Sequence, residues 1–180
     1  PKRYSTVYID GVKMSDPSSV SGDFDFNHIL TNQISRVEIL KGSQSSVYGS
    51  GAIGGTINIT TKKGNKNQKG DVFYNTGSHG TNNLSFSKSG EKDNSNYLIS
   101  FEKFQTDGIS QMSHNDEKDA YRNNSFLGKI ENRLNESLKF EGIARLRDSY
   151  LQYDKIVDTA TATHSEEENS RHYLTSGTLI

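Results

Sequence analysis

From Leu138 to Arg147 the side chains alternate by chemistry: Leu138, Phe140, Gly142, Ala144 and Leu146 fall on one side, and Lys139, Glu141, Ile143, Arg145 and Arg147 on the other. A period of two belongs to a β-strand, whose successive side chains point to opposite faces. The pattern recurs from Asn123 to Leu134, with Phe126, Gly128, Ile130 and Leu134 opposite Lys129, Glu131 and Arg133. It recurs again from Asn82 to Ser89, where Leu84 and Phe86 oppose Asn83, Ser85, Ser87 and Ser89. Tyr97 to Gln105 is mixed, because Leu98 and Phe104 share a side with Glu102. Each strand approaches the roughly 9 to 11 residues that a tilted membrane-crossing strand needs. A Lys or Arg facing lipid near the midplane costs about 2 to 4 kcal/mol, so in a membrane the charged side must face water. A soluble antiparallel meander with one wet face has the same period, and the strands alone leave both architectures open.

The connections add an order. After a short link near Gly80 they run short at Glu91 to Ser95, long at Gly108 to Arg122, short at Asn135 and Glu136, and long at Asp148 to Asn169. Short turns at one end and long loops at the other are the habit of outer-membrane barrels. Composition permits this. Only 31% of the 180 residues are hydrophobic and no apolar run exceeds three, which excludes a membrane-crossing helix of about 20 residues but not a barrel. Twenty-one basic residues against 22 acidic ones, with no long block of either sign, give no sign of a nucleic-acid partner. Cysteine is absent, so disulfides and thiolate chemistry are excluded.

Residues 1 to 63 follow another grammar. Tyr4 to Ile9 reads as a strand closed by the turn Asp10-Gly11. Lys13 to Asp23 reads as a loop, and Asp25 as the cap of a short helical stretch from Phe26 to Thr31. Ile34 to Leu40 is a strand with Val37 and Ile39 on one side and Arg36, Glu38 and Leu40 on the other. Next, Gly49, Gly51 and Gly54 take the spacing G-x-G-x-x-G of a dinucleotide-binding loop. That fingerprint needs a buried strand before the glycines and a helix after them. Here a Ser-rich stretch precedes them and the β-branched run Thr56 to Thr61 follows, so the glycines are expected to shape backbone rather than hold phosphate.

The stretches VYIDGV (Val7 to Val12) and ISRVEILKGSQSSVYGSGAIGGTINITTKKG (Ile34 to Gly64), with the long polar strands after them, resemble a TonB-dependent outer-membrane receptor. The resemblance implies an α+β plug fragment, residues 1–63, followed by antiparallel transmembrane β-barrel strands, residues 64–180, of a partial 22-stranded barrel. It assigns Asp10, Gly11, Arg36, Glu38, Gly42, Tyr48, Gly49, Gly54, Gly55 and Asn58 to the structural motif of the plug. It implies uptake of a scarce small-molecule cargo across the outer membrane of a Gram-negative bacterium, with outer-membrane lipid around the barrel and the TonB complex as energy-coupling partner. The contact box for TonB would lie before Pro1, and the chain reads as an internal fragment whose open strand edges favour aggregation.

For cargo, the family's apical plug loop corresponds to Met14, Ser15, Asp16, Ser18, Ser19 and Ser21, which also read plainly as a flexible connection. Asp107, Asn115, Asp116, Glu117 and Asp119 gather in or beside the first long loop; such oxygen donors suit calcium, and solvated charges have the same composition. Thr106 to Ser125 and Arg145 to Asp154 look like the cobalamin branch, with a ferric siderophore or haem receptor as the alternative. Tyr150, Tyr153 and Arg122 are the aromatic and basic residues near the loops that would favour a siderophore. No cofactor is required, and no G-x-S-x-G, H-E-x-x-H or P-loop indicates an enzyme. A surface solenoid would show a short fixed repeat, and none is present.

Overall fold

In a computed structural model, the described residues are 5–15, 24, 26, 29–49, 51–64, 68–109, 118–155 and 164–179, the backbone alone for 153–155 and 164–179. The chain divides into two compact units, Pro1–Lys62 and Lys63–Ile180.

The first unit is built on a four-stranded sheet of β1 (Ser5–Ile9), β2 (Val12–Met14), β3 (Ile34–Lys41) and β4 (Gly55–Thr61), in the order β2-β1-β4-β3. Asp10 and Gly11 both have positive φ, 50° and 79°, the conformation a two-residue hairpin turn demands. That turn pairs Tyr8 with Lys13, so Lys13 belongs to a strand and the expected loop begins later. The central pair, β1 with β4, is parallel, with Val7 beside Ile57 and Ile9 beside Ile59. Val7, Ile9 and Ile59 form the core, covered by Met14, Phe24, Ile29, Ile34 and Ile57. On β3, Val37 and Ile39 pair with Ile59 and Ile57 and so share this apolar face, while Arg36 and Glu38 pair with Thr60 and Asn58 on the polar one. Much of the stretch expected to be helical, including its cap Asp25, lies outside the described residues; Phe26 is in 3-10 conformation and a 3-10 turn occupies Thr31–Gln33.

The second unit is a six-stranded antiparallel meander: β5 (Lys69–Thr76), β6 (Asn82–Lys92), β7 (Ser95–Thr106), β8 (Tyr121–Arg133), β9 (Lys139–Lys155) and β10 (His164–Leu179). Each strand pairs only with its sequence neighbours, so the sheet is open, with β5 and β10 at its edges. The register aligns one row of residues across five strands: Val72 with Phe86, Phe86 with Phe101, Phe101 with Phe126, and Phe126 with Leu146. The neighbouring row on the opposite face reads Phe73, Ser85, Glu102, Ser125 and Arg147. The mixed appearance of β7 is thereby explained. Ile99 and Phe101 lie on the apolar face, and Leu98, Ser100 and Glu102 are buried on the other. Lys88 and Lys103 share the apolar face next to the aromatic row, where a long aliphatic stem lets the ammonium reach an interface.

Strand ends depart most from expectation. Backbone pairing of β9 with β10 continues outward to Lys155 and His164, so most of the long loop expected from Asp148 to Asn169 is strand. Where both faces of a strand meet water its side chains need not alternate, so polar residues there look like loop. The connection 156–163 lies outside the described residues.

Phe101→Lys places a charge in the apolar row and is expected to destabilise the full-length protein in lipid vesicles by about 2 to 4 kcal/mol. Ser87→Lys, on the polar face of the neighbouring β6 where the serine is only half-buried, is expected to cost well under half as much in the same equilibrium unfolding measurement.

Candidate functional site

Two hydrogen bonds fix the turn that enters β2. The Thr61 N–H donates to Asp10 Oδ1 at 2.9 Å and its hydroxyl to Asp10 Oδ2 at 2.8 Å. The Asp10 N–H in turn donates to the Ile59 carbonyl at 2.9 Å, so the Asp10-Gly11 turn is tied to the end of β4. Met14 closes β2 opposite Val7 and packs on the core, and Ser15 follows it exposed. Of the expected apical contacts, Asp16, Ser18, Ser19 and Ser21 lie outside the described residues.

The glycine-rich segment is a backbone device. A one-turn helix, α1 (Ser45–Tyr48), ends where Gly49 adopts φ 85°. Strand β4 then follows the glycines, the reverse of the strand-then-helix order a phosphate loop needs. At Gly55, with φ 146°, an added Cβ would stand 2.5 Å from the Leu40 carbonyl oxygen, so β4 passes β3 at a distance only glycine permits. Two hydrogen bonds zip the loop, from the Gly42 N–H to the Gly54 carbonyl at 3.3 Å and from the Gln44 N–H to the Ala52 carbonyl at 2.8 Å. Tyr48 seats α1 on the polar face. Its ring centroid is 5.2 Å from that of Tyr8, the Tyr8 hydroxyl donates to the Tyr48 carbonyl at 3.1 Å, and Asn58 Nδ2 donates to the Tyr48 hydroxyl at 3.3 Å. Arg36 and Glu38 form an ion pair at 3.4 Å on the exposed edge strand.

At the long-loop end of the second unit, Asp107 and Asp119 stand at the two feet of the first long loop. The Asp107 N–H donates to the His79 carbonyl at 2.8 Å, and its carboxylate lies 3.7 Å from Lys118 Nζ. Gly108, φ 69°, lies against the Asp119 carbonyl so closely that no Cβ fits. Asn115, Asp116 and Glu117 lie outside the described residues, and among the described residues no three His, Cys, Asp or Glu side chains gather as a metal group. Arg122 stacks over Tyr150, 5.9 Å from the ring centroid. By register both belong to the face that carries Phe126 and Leu146, so this pair sits at the rim of the apolar band rather than on the polar face. Tyr153 has only its backbone described.

A polar cluster on the opposite face went unrecognised in the sequence. Asn83 Nδ2 donates to Glu102 Oε1 at 3.1 Å, the Ser125 hydroxyl donates to Asn123 Oδ1 at 2.6 Å, and Asn123 Nδ2 donates to the Tyr121 hydroxyl at 2.7 Å. Phe104 packs on Tyr121 with ring centroids 5.8 Å apart. Glu102 is 1% exposed and Asn123 0%. The one available signal was Glu102 itself, a charge in register with serines in a strand that otherwise looked confused.

Residues 1–56 match the family described as TonB-dependent Receptor Plug Domain. The start of the chain is thus similar to the plug domain of TonB-dependent receptors. The chain is 28% identical over 169 residues to the vitamin B12 transporter BtuB of Vibrio cholerae serotype O1, covering 91% of this chain and 27% of that relative. The BtuB of Photobacterium profundum is 29% identical over 171 residues, covering 93% and 27% respectively. Among solved structures, the ferric yersiniabactin uptake receptor FyuA of Yersinia pestis superposes with a TM-score of 0.70 at 19% identity, covering 98% of this chain and 29% of that one. The pyoverdine receptor FpvA of Pseudomonas aeruginosa gives 0.68 at 23% identity, covering 82% and 21%. The chain thus spans about a quarter of the length of the relatives it matches. The first unit is plug and the second is barrel wall, and the outer membrane is their location.

Asp10→Ala is expected to strand the buried Thr61 N–H and hydroxyl and to lower plug stability by about 1 to 3 kcal/mol. The measurement is the urea midpoint for plug unfolding in the intact receptor, with Asp10→Asn, which keeps one acceptor, falling between the two.

Proposed function

We propose that the receptor containing this segment takes up cobalamin across the outer membrane, with the energy supplied through TonB. What carries this reading is the similarity to vitamin B12 transporters over 91% of the chain, which spans both units and the long-loop end of the barrel wall rather than the plug alone. The structural relatives named for siderophores share the fold at lower identity and do not bear on cargo. In this reading the plug loop from Met14 to Ser21 and the loops on the long-loop side face the ligand, and the plug rearranges when TonB engages the receptor.

Calcium fits the loop chemistry. Asp107, Asn115, Asp116, Glu117 and Asp119 offer only oxygen donors, the kind a hard cation takes. Bound there, the ion would neutralise the carboxylates. Asp107 and Asp119 already stand at its two feet, where the Lys118 ammonium balances one of them.

The full-length receptor is expected to bind cyanocobalamin, and to bind it more tightly with calcium than with a chelator. Replacing Asp107 and Asp119 together by alanine is expected to raise the calcium needed on the order of tenfold, since affinity follows the number of charged ligands. Titration calorimetry with cyanocobalamin at several calcium levels reads both; no binding at any calcium level would refute the cargo.

A further inference from the structure

The second unit opens with two residues that precede its first strand, and both are held. Gly64 lies so close to β7 that an added Cβ would stand 2.5 Å from the Tyr97 carbonyl oxygen and 2.7 Å from its nitrogen. No side chain fits there unless the chain moves away. Immediately before it, Lys63 Nζ is 3.6 Å from Glu131 Oε2 and 3.9 Å from Glu141 Oε1. These glutamates sit directly opposite each other on β8 and β9, a like-charge pairing that is destabilising by itself. Lys139 Nζ offsets it from one position, 3.0 Å from Glu131 and 2.7 Å from Glu141. Lys63 adds the second cation and brings the cluster to neutrality.

An exposed ion pair taken singly contributes little. Here charge and shape act on adjacent residues: Lys63 is drawn to the glutamate pair, and Gly64 is the residue type that lets the backbone settle on β7. Gly64 also borders a cleft of about 320 Å³ with Asp93 and Asn94 of the β6–β7 turn and Glu131 and Arg133 of β8. The held residues therefore lie at the short-turn rim of the wall.

We propose that Lys63 and Gly64 form an anchor that fastens the chain leaving the plug to the short-turn rim of the barrel wall. The plug then rearranges about a fixed C-terminal end, and the hinge for that movement lies upstream of Lys63. This deepens the receptor reading and rests on it, because a fixed end matters only where residues 1–62 move. Lys63 and Glu131 are positioning residues in this scheme and touch no cargo.

Hydrogen exchange of the full-length receptor in detergent, without cargo or TonB, tests the anchor at the Lys63 and Gly64 amides. Slow exchange is expected in the unaltered receptor. Gly64→Val and Lys63→Glu should each speed it by roughly tenfold or more, as local opening becomes easier. Combining Lys63→Glu with Glu131→Lys should restore protection, a rescue that general loosening of the fold would not give. If a variant does not assemble, Glu141→Gln, which also disturbs the cluster's charge balance, takes its place. Fast exchange in the unaltered receptor, unchanged exchange in the variants, or failure of the charge swap to restore protection would each overturn the anchor. A receptor that bound no cyanocobalamin would refute the cargo reading and leave the exchange result standing.

Discussion

The second unit depends on the register that keeps Val72, Phe86, Phe101, Phe126 and Leu146 in one row. Because side chains alternate with a period of two, a slip of one residue in any strand would turn its apolar residues inward and send serine, glutamate or arginine toward hydrocarbon. The penalty for such a charge is large against the few tenths of a kcal/mol that one cross-strand pair contributes. Lipid therefore selects the pairing, and the backbone ladders follow, since a spanning strand can satisfy its N–H and C=O groups only on its neighbours. The short turns at Asp93-Asn94 and around Asn135 need do little more than reverse the chain.

The first unit solves a different problem, that of holding irregular backbone in place with few apolar residues. Its core is small, centred on Val7, Ile9 and Ile59. Around it the chain uses polar fastenings: the Asp10 carboxylate on Thr61, the Thr6 and Thr56 hydroxyls at 3.2 Å, and Tyr48 between Tyr8 and Asn58. Glycine sets where these fastenings can reach, most clearly at Gly55, where β4 crosses close to the Leu40 carbonyl. A small sheet held by such bonds can give way one fastening at a time.

How much of this could be read from residues alone follows from what the solvent imposes. Where hydrocarbon faces one side of a strand, alternation is enforced, and the faces of β6, β8 and β9 were legible; on β3 the pairing of Val37 and Ile39 with Ile59 and Ile57 of the small core leaves the same mark. Beyond the hydrocarbon that pressure ends, and the outer parts of β9 and β10 looked like loop although their backbones pair. Short elements made by tertiary contact were equally hidden: β2 exists because the Asp10-Gly11 turn brings Lys13 beside Tyr8, and α1 because Tyr48 has a seat. Of the candidate site, the motif residues Asp10, Tyr48, Gly55 and Asn58 were named in the sequence, but their partners lie up to 51 positions away and only the fold reveals them. The buried Asn123 looked like an ordinary polar strand residue, because burial on the polar face leaves no periodic mark of its own; Glu102 showed only as the charge that made β7 look mixed.

Plug, wall and cargo all rest on the claim that one face of the meander meets lipid. The direct measurement places a nitroxide at each position from Leu98 to Lys103 of β7 in the full-length receptor in lipid vesicles and compares relaxation by oxygen with relaxation by a water-soluble nickel chelate. Oxygen should dominate at Ile99 and Phe101, and fall at Leu98, Ser100 and Glu102, with a period of two. Equal access of the nickel chelate to both sets would mean that both faces of β7 meet water, and that the sheet is not a membrane wall.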